Sequence, residues 1–270
     1  MNNLILRSIT GIGIGLVIIG GIAISQYTFM IVFLLLLIAG LIEFYQIFEK
    51  KGFKPQKISG IILGILVFGL NYIIATGYMK YQLIIIIIPI VLYIVIAELF
   101  RKHTSPFENI SITIFGILYI AVPIALFWQL AYRDNIYLYN PHFLLAYFII
   151  IWTYDTGAYL IGVNIGKRKL FERISPKKSW EGAIGGYIIS LGIAYLISFY
   201  YKELTSYQWI IFGSIVAIFG TFGDLIESMF KRSLDIKDSG NILPGHGGIL
   251  DRFDALFLAI PAVYVYLQFI

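Results

Sequence analysis

Apolar runs of membrane length recur nine times along this chain. They fall approximately at Ile9–Ser25, Thr28–Phe48, Ile58–Tyr78, Tyr81–Phe100, Ser111–Tyr132, His142–Ile161, Ala183–Tyr200, Trp209–Phe230 and Phe253–Ile270. An α-helix needs about 20 residues to cross a hydrocarbon core roughly 30 Å thick. The runs are too long for strands and show no alternation of period two. The 270 residues are 59% hydrophobic and only 13% charged, where a soluble domain carries roughly 25% charge. The expected fold class is an all-α, polytopic membrane helix bundle of about nine transmembrane helices.

Charge placement orients that bundle. With the N-terminus in the cytoplasm, only Lys80, Arg133 and Lys202 of the 20 Lys and Arg residues fall on the far side. Such a bias under the positive-inside rule predicts a cytoplasmic N-terminus; a plasma (inner) membrane location is expected alongside it. Ala23-Ile24-Ser25 loosely resembles a signal-peptidase site, but the long apolar core before it predicts a retained first helix. There is no Cys, so disulfides and Cys-ligated metals are excluded. The net charge of +5 lies in loops between apolar spans. That placement points to anionic lipid headgroups and phosphorylated substrates, not to nucleic acid.

Polar residues divide the chain unequally. Residues 1–141, with about five helices, read as scaffold; residues 142–270, with about four, hold the dense polar motifs. Asp155 falls inside the sixth span, in Ile-Trp-Thr-Tyr-Asp-Thr-Gly-Ala-Tyr. A membrane carboxylate costs about 2.5–3.5 kcal/mol and marks function by default; a packing role, bonded to Thr153 or Tyr159, is the alternative. Asp224 and Glu227 share a helix face at i, i+3, and Lys231 continues the stripe. A Glu227–Lys231 salt bridge is an equally good account of those two. Gly220 and Gly223 beside Asp224 permit close approach of a ligand or another helix. Asp251 and Asp254 repeat the i, i+3 spacing at the start of the ninth helix, where acids also serve as caps. Glu43 and Glu98 read as interfacial residues near helix ends. The loop from Lys167 to Gly182 is basic, which positive-inside placement alone could explain.

The most polar stretch runs from Ser228 to Asp254. It reads Ser228, two residues, Lys231-Arg232, four residues, Lys237-Asp238, a small residue, and later His246-Gly247-Gly248, two residues, Asp251-Arg252, one residue, Asp254. This string resembles the signature of the bacterial phosphatidate cytidylyltransferases, and each fixed position is met. Asp155-Thr156-Gly157-Ala158-Tyr159 is similar to a run in the same family. Ser175-Pro176-Lys177-Lys178-Ser179-Trp180-Glu181-Gly182 resembles a further block of it.

The resemblance implies transfer of a cytidylyl group from CTP to phosphatidate, giving CDP-diacylglycerol and pyrophosphate. It implies Asp224 and Asp251 as carboxylates for Mg²⁺, with one or two cations, and Lys231 and Arg252 as further catalytic groups. Asp155, Ser175, Lys178, Ser179, Arg232, Lys237, Asp238, His246, Gly247, Gly248 and Asp254 become substrate-binding residues. His246 is expected to orient substrate without acting as a base, because a phosphate monoester is already an oxyanion near neutral pH, its second pKa being about 6. A homodimer in contact with membrane lipids is implied, with its active site facing the cytoplasm. An ion or metabolite transporter using Asp155 and Asp224 is a competing reading. Against it, the ionisable residues gather at one membrane face, whereas transporter sites lie near the midplane. A polyprenol kinase relative using CTP is another, disfavoured by the complete His-Gly-Gly-x-x-Asp-Arg-x-Asp string.

Overall fold

The computed structural model describes residues 3–78, 81–240 and 247–270, without the side chains of residues 3–9, 81, 83 and 84. The described residues are predominantly helical: α1 Asn3–Ile24, α2 Gln26–Lys50, α3 Lys57–Ala75, α4 Ile87–Arg101, α5 Pro106–Gly116, α6 Val122–Ala131, α7 His142–Ile165, α8 Trp180–Tyr200, α9 Ser206–Ser233 and α10 Leu250–Gln268. The helical form follows from lipid as solvent, where each backbone polar group has to be satisfied within its own segment.

Helix starts are written locally. Ser25 and Thr205 each form a reciprocal capping box, with Thr28 and Gln208 respectively, which satisfies two otherwise orphaned amides. Pro106 opens α5, a position where its missing N–H costs nothing. Between α5 and α6 the chain makes a π-turn over Ile117–Ala121, so Pro106–Ala131 runs as one 26-residue span.

Six helices among the described residues are long and apolar enough to cross a membrane: α2, α3, the α5–α6 span, α7, α8 and α9. The fourth expected span is instead a 3₁₀ turn over Tyr81–Ile86 followed by the 15-residue α4. α10 carries Asp251, Arg252 and Asp254 in its opening turns. The expected loop between α7 and α8 contains a short antiparallel hairpin, β1 Lys169–Phe171 with β2 Ser175–Ser179, pairing Lys169 with Ser179 and Phe171 with Ser175. Its charged residues hid it from a reading tuned to long apolar runs.

The chain forms two compact units, Met1–Tyr139 with Asp238–Arg252, and Asn140–Lys237 with Phe253–Ile270. In the first, aromatic rings make the core: Phe29 meets Trp128 edge-on at 4.6 Å, and Tyr72 lies 4.7 Å from Trp128. Glu98 is buried there, at 4% exposure, not interfacial. Its Oε2 accepts from Gln56 Nε2 and Arg101 Nη1, both at 2.8 Å, and Oε1 accepts from Asn109 Nδ2 at 3.0 Å. In the second unit α7 and α8 pack closely. A Cβ on Gly186 would lie 2.7 Å from the Tyr154 carbonyl oxygen, so only glycine admits this approach.

Candidate active site

In the second unit, the hairpin brings Lys178 to α9. Its base is fastened to the start of α8: Trp180 N donates to the Arg168 carbonyl at 2.9 Å, and Glu181 Oε2 accepts from Lys167 N at 3.0 Å and Arg168 N at 3.1 Å. Ser179 is the N-cap of α8, its Oγ accepting from Gly182 N at 3.2 Å. Lys178, one residue earlier, forms an ion pair with Asp224. Burial pulls the Lys178 ammonium down, but the adjacent Asp224 outweighs it, with Asp254 and Asp155 adding to the field, and the net displacement is upward. Lys178 is therefore a fixed cation at neutral pH.

Around this pair the acids crowd. Asp155, Asp224 and Glu227 all lie within electrostatic reach of Asp254. Asp155 is open to the outside on one side of α7 although protein surrounds much of it. The Asp254 Oδ1 accepts from Ala255 N at 2.7 Å, and Asp224 Oδ1 accepts from Ser228 Oγ at 3.3 Å. Glu227 is 1% exposed and pairs with Lys231 at 2.6 Å, so the salt-bridge reading of that couple holds. Gly223 lets α9 approach α10: a Cβ there would lie 2.6 Å from the Asp254 carbonyl oxygen. Close helix contact is thus what Gly223 serves. Asp155, Asp224, Glu227 and Asp254 outnumber the lysines paired with them, Lys178 and Lys231, a local excess of negative charge that suits a cation. Among the described residues no group of three or more His, Cys, Asp or Glu could hold a metal, but Mg²⁺ asks for only one or two carboxylates alongside phosphate oxygens and water. The hard oxygen donors present fit that demand.

In the first unit, Asp251 Oδ2 accepts from Gly248 N at 2.9 Å and Ser239 N at 3.0 Å. Gly247 has φ +81°, and a Cβ there would lie 2.6 Å from Asp251 Oδ2; glycine is required on both counts. Glu43 completes the arrangement from α2. It is 2% exposed, and its carboxylate accepts from Ser239 Oγ at 2.5 Å, Ile249 N at 2.9 Å and Leu250 N at 3.0 Å. The expectation that Glu43 is interfacial is therefore wrong. The signal was an acid set within the apolar part of α2, more than a turn before Glu49 and Lys50 at its end; sequence reasoning assigned Ser239 no role and Glu43 only an interfacial one.

The remaining positions are more peripheral. Arg232 is exposed at the end of α9, with Nη1 donating to the Ile236 carbonyl at 3.4 Å. Lys237, Asp238 and Arg252 are exposed, and Ser175 opens β2 opposite Phe171. His246 lies outside the described residues. Within the second unit, Lys178, Asp224, Asp155 and Asp254 are thus brought together; within the first, Gly247, Gly248 and Asp251 are.

The profile of the Cytidylyltransferase family matches residues 5–270. The chain is 31% identical to the phosphatidate cytidylyltransferase of Bacillus subtilis (strain 168), over 96% of this chain and 95% of that protein. It is 40% identical to the phosphatidate cytidylyltransferase of Staphylococcus aureus (strain COL) over 62% of each chain. A similar match, 39% identical over 62% of each, is the phosphatidate cytidylyltransferase of Staphylococcus haemolyticus (strain JCSC1435). With the match running through the polar cluster of each unit, this chain belongs to the cytidylyltransferase family.

Proposed function

We propose that this chain catalyses the attack of phosphatidate on CTP, releasing pyrophosphate and leaving CDP-diacylglycerol in the membrane. The observation that carries the reading is that family membership extends over residues 5–270 and so includes the acid-rich cluster around the Lys178–Asp224 pair. A phosphatidate oxygen forms the new bond to the α-phosphorus of CTP, and the bond from that phosphorus to the bridging oxygen breaks. The nucleophile is already ionised near neutral pH, so His246 orients and need not take a proton.

The obstacle is electrostatic: two polyanions have to meet. Lys178 stands as a fixed cation on the hairpin, and Lys231, Arg232, Lys237 and Arg252 add positive charge from the Ser228–Asp254 stretch. Such preorganised charge is worth about 2.7–4 kcal/mol per donor in the transition state. A divalent cation, with Asp224 and Asp251 as its carboxylates on the resemblance, would add charge neutralisation for the departing pyrophosphate. Ser175, Asp155 and Asp254 complete the substrate-binding set, with residues 142–270 carrying most of it. About nine spans, six of them long apolar helices among the described residues, with the N-terminus cytoplasmic on the charge bias, would put this chemistry on the inner face of the plasma membrane. There CTP is soluble and phosphatidate lies in the leaflet. The family resemblance extends to a homodimer.

The test uses the full chain in sealed vesicles containing phosphatidate, with radiolabelled CTP added outside. Label should enter the lipid phase, with pyrophosphate released, only when Mg²⁺ is present and only in vesicles whose cytoplasmic face is outward. No lipid-phase label in either orientation would refute the reaction; activity confined to the opposite orientation would refute the topology alone.

A further inference from the structure

We propose that Glu43 is a positioning residue for this reaction, acting through Ser239 and the first turn of α10 on Asp251. The proposal rests on the reaction assigned above. Glu43 projects from Leu41-Ile42-Glu43-Phe44-Tyr45 on α2, a segment whose neighbours Leu41, Phe44 and Tyr45 are each 0% exposed. A carboxylate in such surroundings is costly unless donors fill it. Three do: the Ser239 hydroxyl and the Leu250 amide on Oε1, and the Ile249 amide on Oε2. Amides at the start of a helix have no partner within it, and a negative charge there also meets the positive end of the helix dipole. A side chain of α2 thus does for α10 what a local cap does for α2 and α9.

Ser239 is the joint of the frame. Its hydroxyl donates to Glu43, while its backbone amide donates to Asp251 Oδ2, which also accepts from Gly248 N. Side chains are excluded around the joint: a Cβ on Gly240 would lie 2.6 Å from Glu43 Oε2, and one on Gly248 would meet Glu43 and Ser239. The two carboxylates therefore both bind Ser239 and together bind Gly248, Ile249 and Leu250. Displacing Glu43 shifts the amides that fix where the Asp251 carboxylate points. Glu43 touches neither substrate nor phosphate in this account; its effect is transmitted.

Glu43→Gln keeps the volume but sets an amide N–H₂ against backbone donors. In the full-length enzyme, kcat should fall about 10- to 100-fold, the scale of a misplacement of roughly 1 Å, while KM for CTP changes little. Ser239→Ala removes only the hydroxyl arm and should lower kcat by a smaller factor. The double variant should be no slower than Glu43→Gln alone, because coupled groups are not additive. Hydrogen exchange at the Ser239, Gly248, Ile249 and Leu250 amides supplies a readout independent of turnover, and should be faster in Glu43→Gln. A Glu43→Gln enzyme with a lowered melting midpoint but wild-type kcat, or with unchanged exchange, overturns the proposal. If that variant does not insert, Ser239→Ala decides alone: reduced kcat at an unchanged melting midpoint supports positioning, and wild-type kcat overturns it. A wild-type chain that forms no CDP-diacylglycerol would defeat the assigned reaction, whereas the exchange rates would still judge the frame.

Discussion

The buried acids of the first unit are answered one by one, while the acids gathered in the second unit, of which only Glu227 is fully buried, face one another. Glu43 and Glu98 each receive three hydrogen bonds from neighbours in their own unit. Asp155, Asp224, Glu227 and Asp254 share Lys178 and Lys231 between them. Filled lone pairs make a buried carboxylate a structural fastener. Crowded carboxylates do the opposite: repulsion is held in place by the surrounding fold, a cost that persists where ligand binding relieves it. The difference teaches that burial of an acid says little by itself, and that the identity of its partners separates framework from site.

Asp251 is the sharpest challenge to that division, since it sits in the first unit with two amides on one oxygen yet is proposed to serve the chemistry. Asp224→Asn and Asp251→Asn should each reduce turnover by more than about tenfold in a folded, inserted protein, because a neutral amide is a poor ligand for Mg²⁺. Steady-state assays of both variants test this. Should Asp251→Asn keep near wild-type turnover while Asp224→Asn does not, Asp251 belongs with the fasteners and the metal proposal loses one ligand.

A smaller effect is expected at Glu98. Glu98→Gln leaves donors facing donors in a buried site, at a cost of about 1–3 kcal/mol, with kcat per folded molecule unchanged. Denaturation and activity measured on one preparation separate the two. A fall in kcat at unchanged stability would break the comparison, since Glu98, held by Gln56, Arg101 and Asn109, would then be acting on the chemistry without the link to Asp251 that Ser239 gives Glu43.

The smallest effect concerns Glu203, an acid of the second unit that lies outside the crowded cluster. Its Oε1 accepts from Asn140 Nδ2 at 2.8 Å and meets His142 Nδ1. Burial raises the Glu203 carboxyl, but the Asn140 and His142 bonds outweigh it and the net displacement is downward. A lowered folded-state value means the contribution is present above the unfolded carboxylate value of about 4.3 and is lost as pH falls through the folded one. Melting midpoints taken from pH 7 down to acid should therefore decline slightly more in wild type than in Glu203→Gln. Parallel curves would show that this acid contributes nothing, and that partner count alone does not identify a fastener.

The sequence made the apolar spans and the Ser228–Asp254 string legible because both are local signals, one of length and the other of spacing. Glu43 and Glu98 were misread for the complementary reason. Whether an acid near a helix end faces water or a nest of donors depends on distant residues: Ile249 and Leu250 lie 206 and 207 positions from Glu43. Lys178 was recognised as a motif residue, but its partnership with Asp224 needed the hairpin, and short charged strands carry no long apolar periodicity to betray them. Gly223 was read as allowing either a ligand or a helix to approach; only three-dimensional packing could decide for α10.

Ser239 and Gly248 donate to the same oxygen of Asp251, so the ends of the segment between them are tied to one atom. Closing a loop of about ten residues costs configurational entropy whichever residues lie inside it. Because the closing bonds belong to the chain itself, that entropy is lost once, on folding. A ligand reaching Asp251 would therefore find Ser239 and Gly248 with that cost already met.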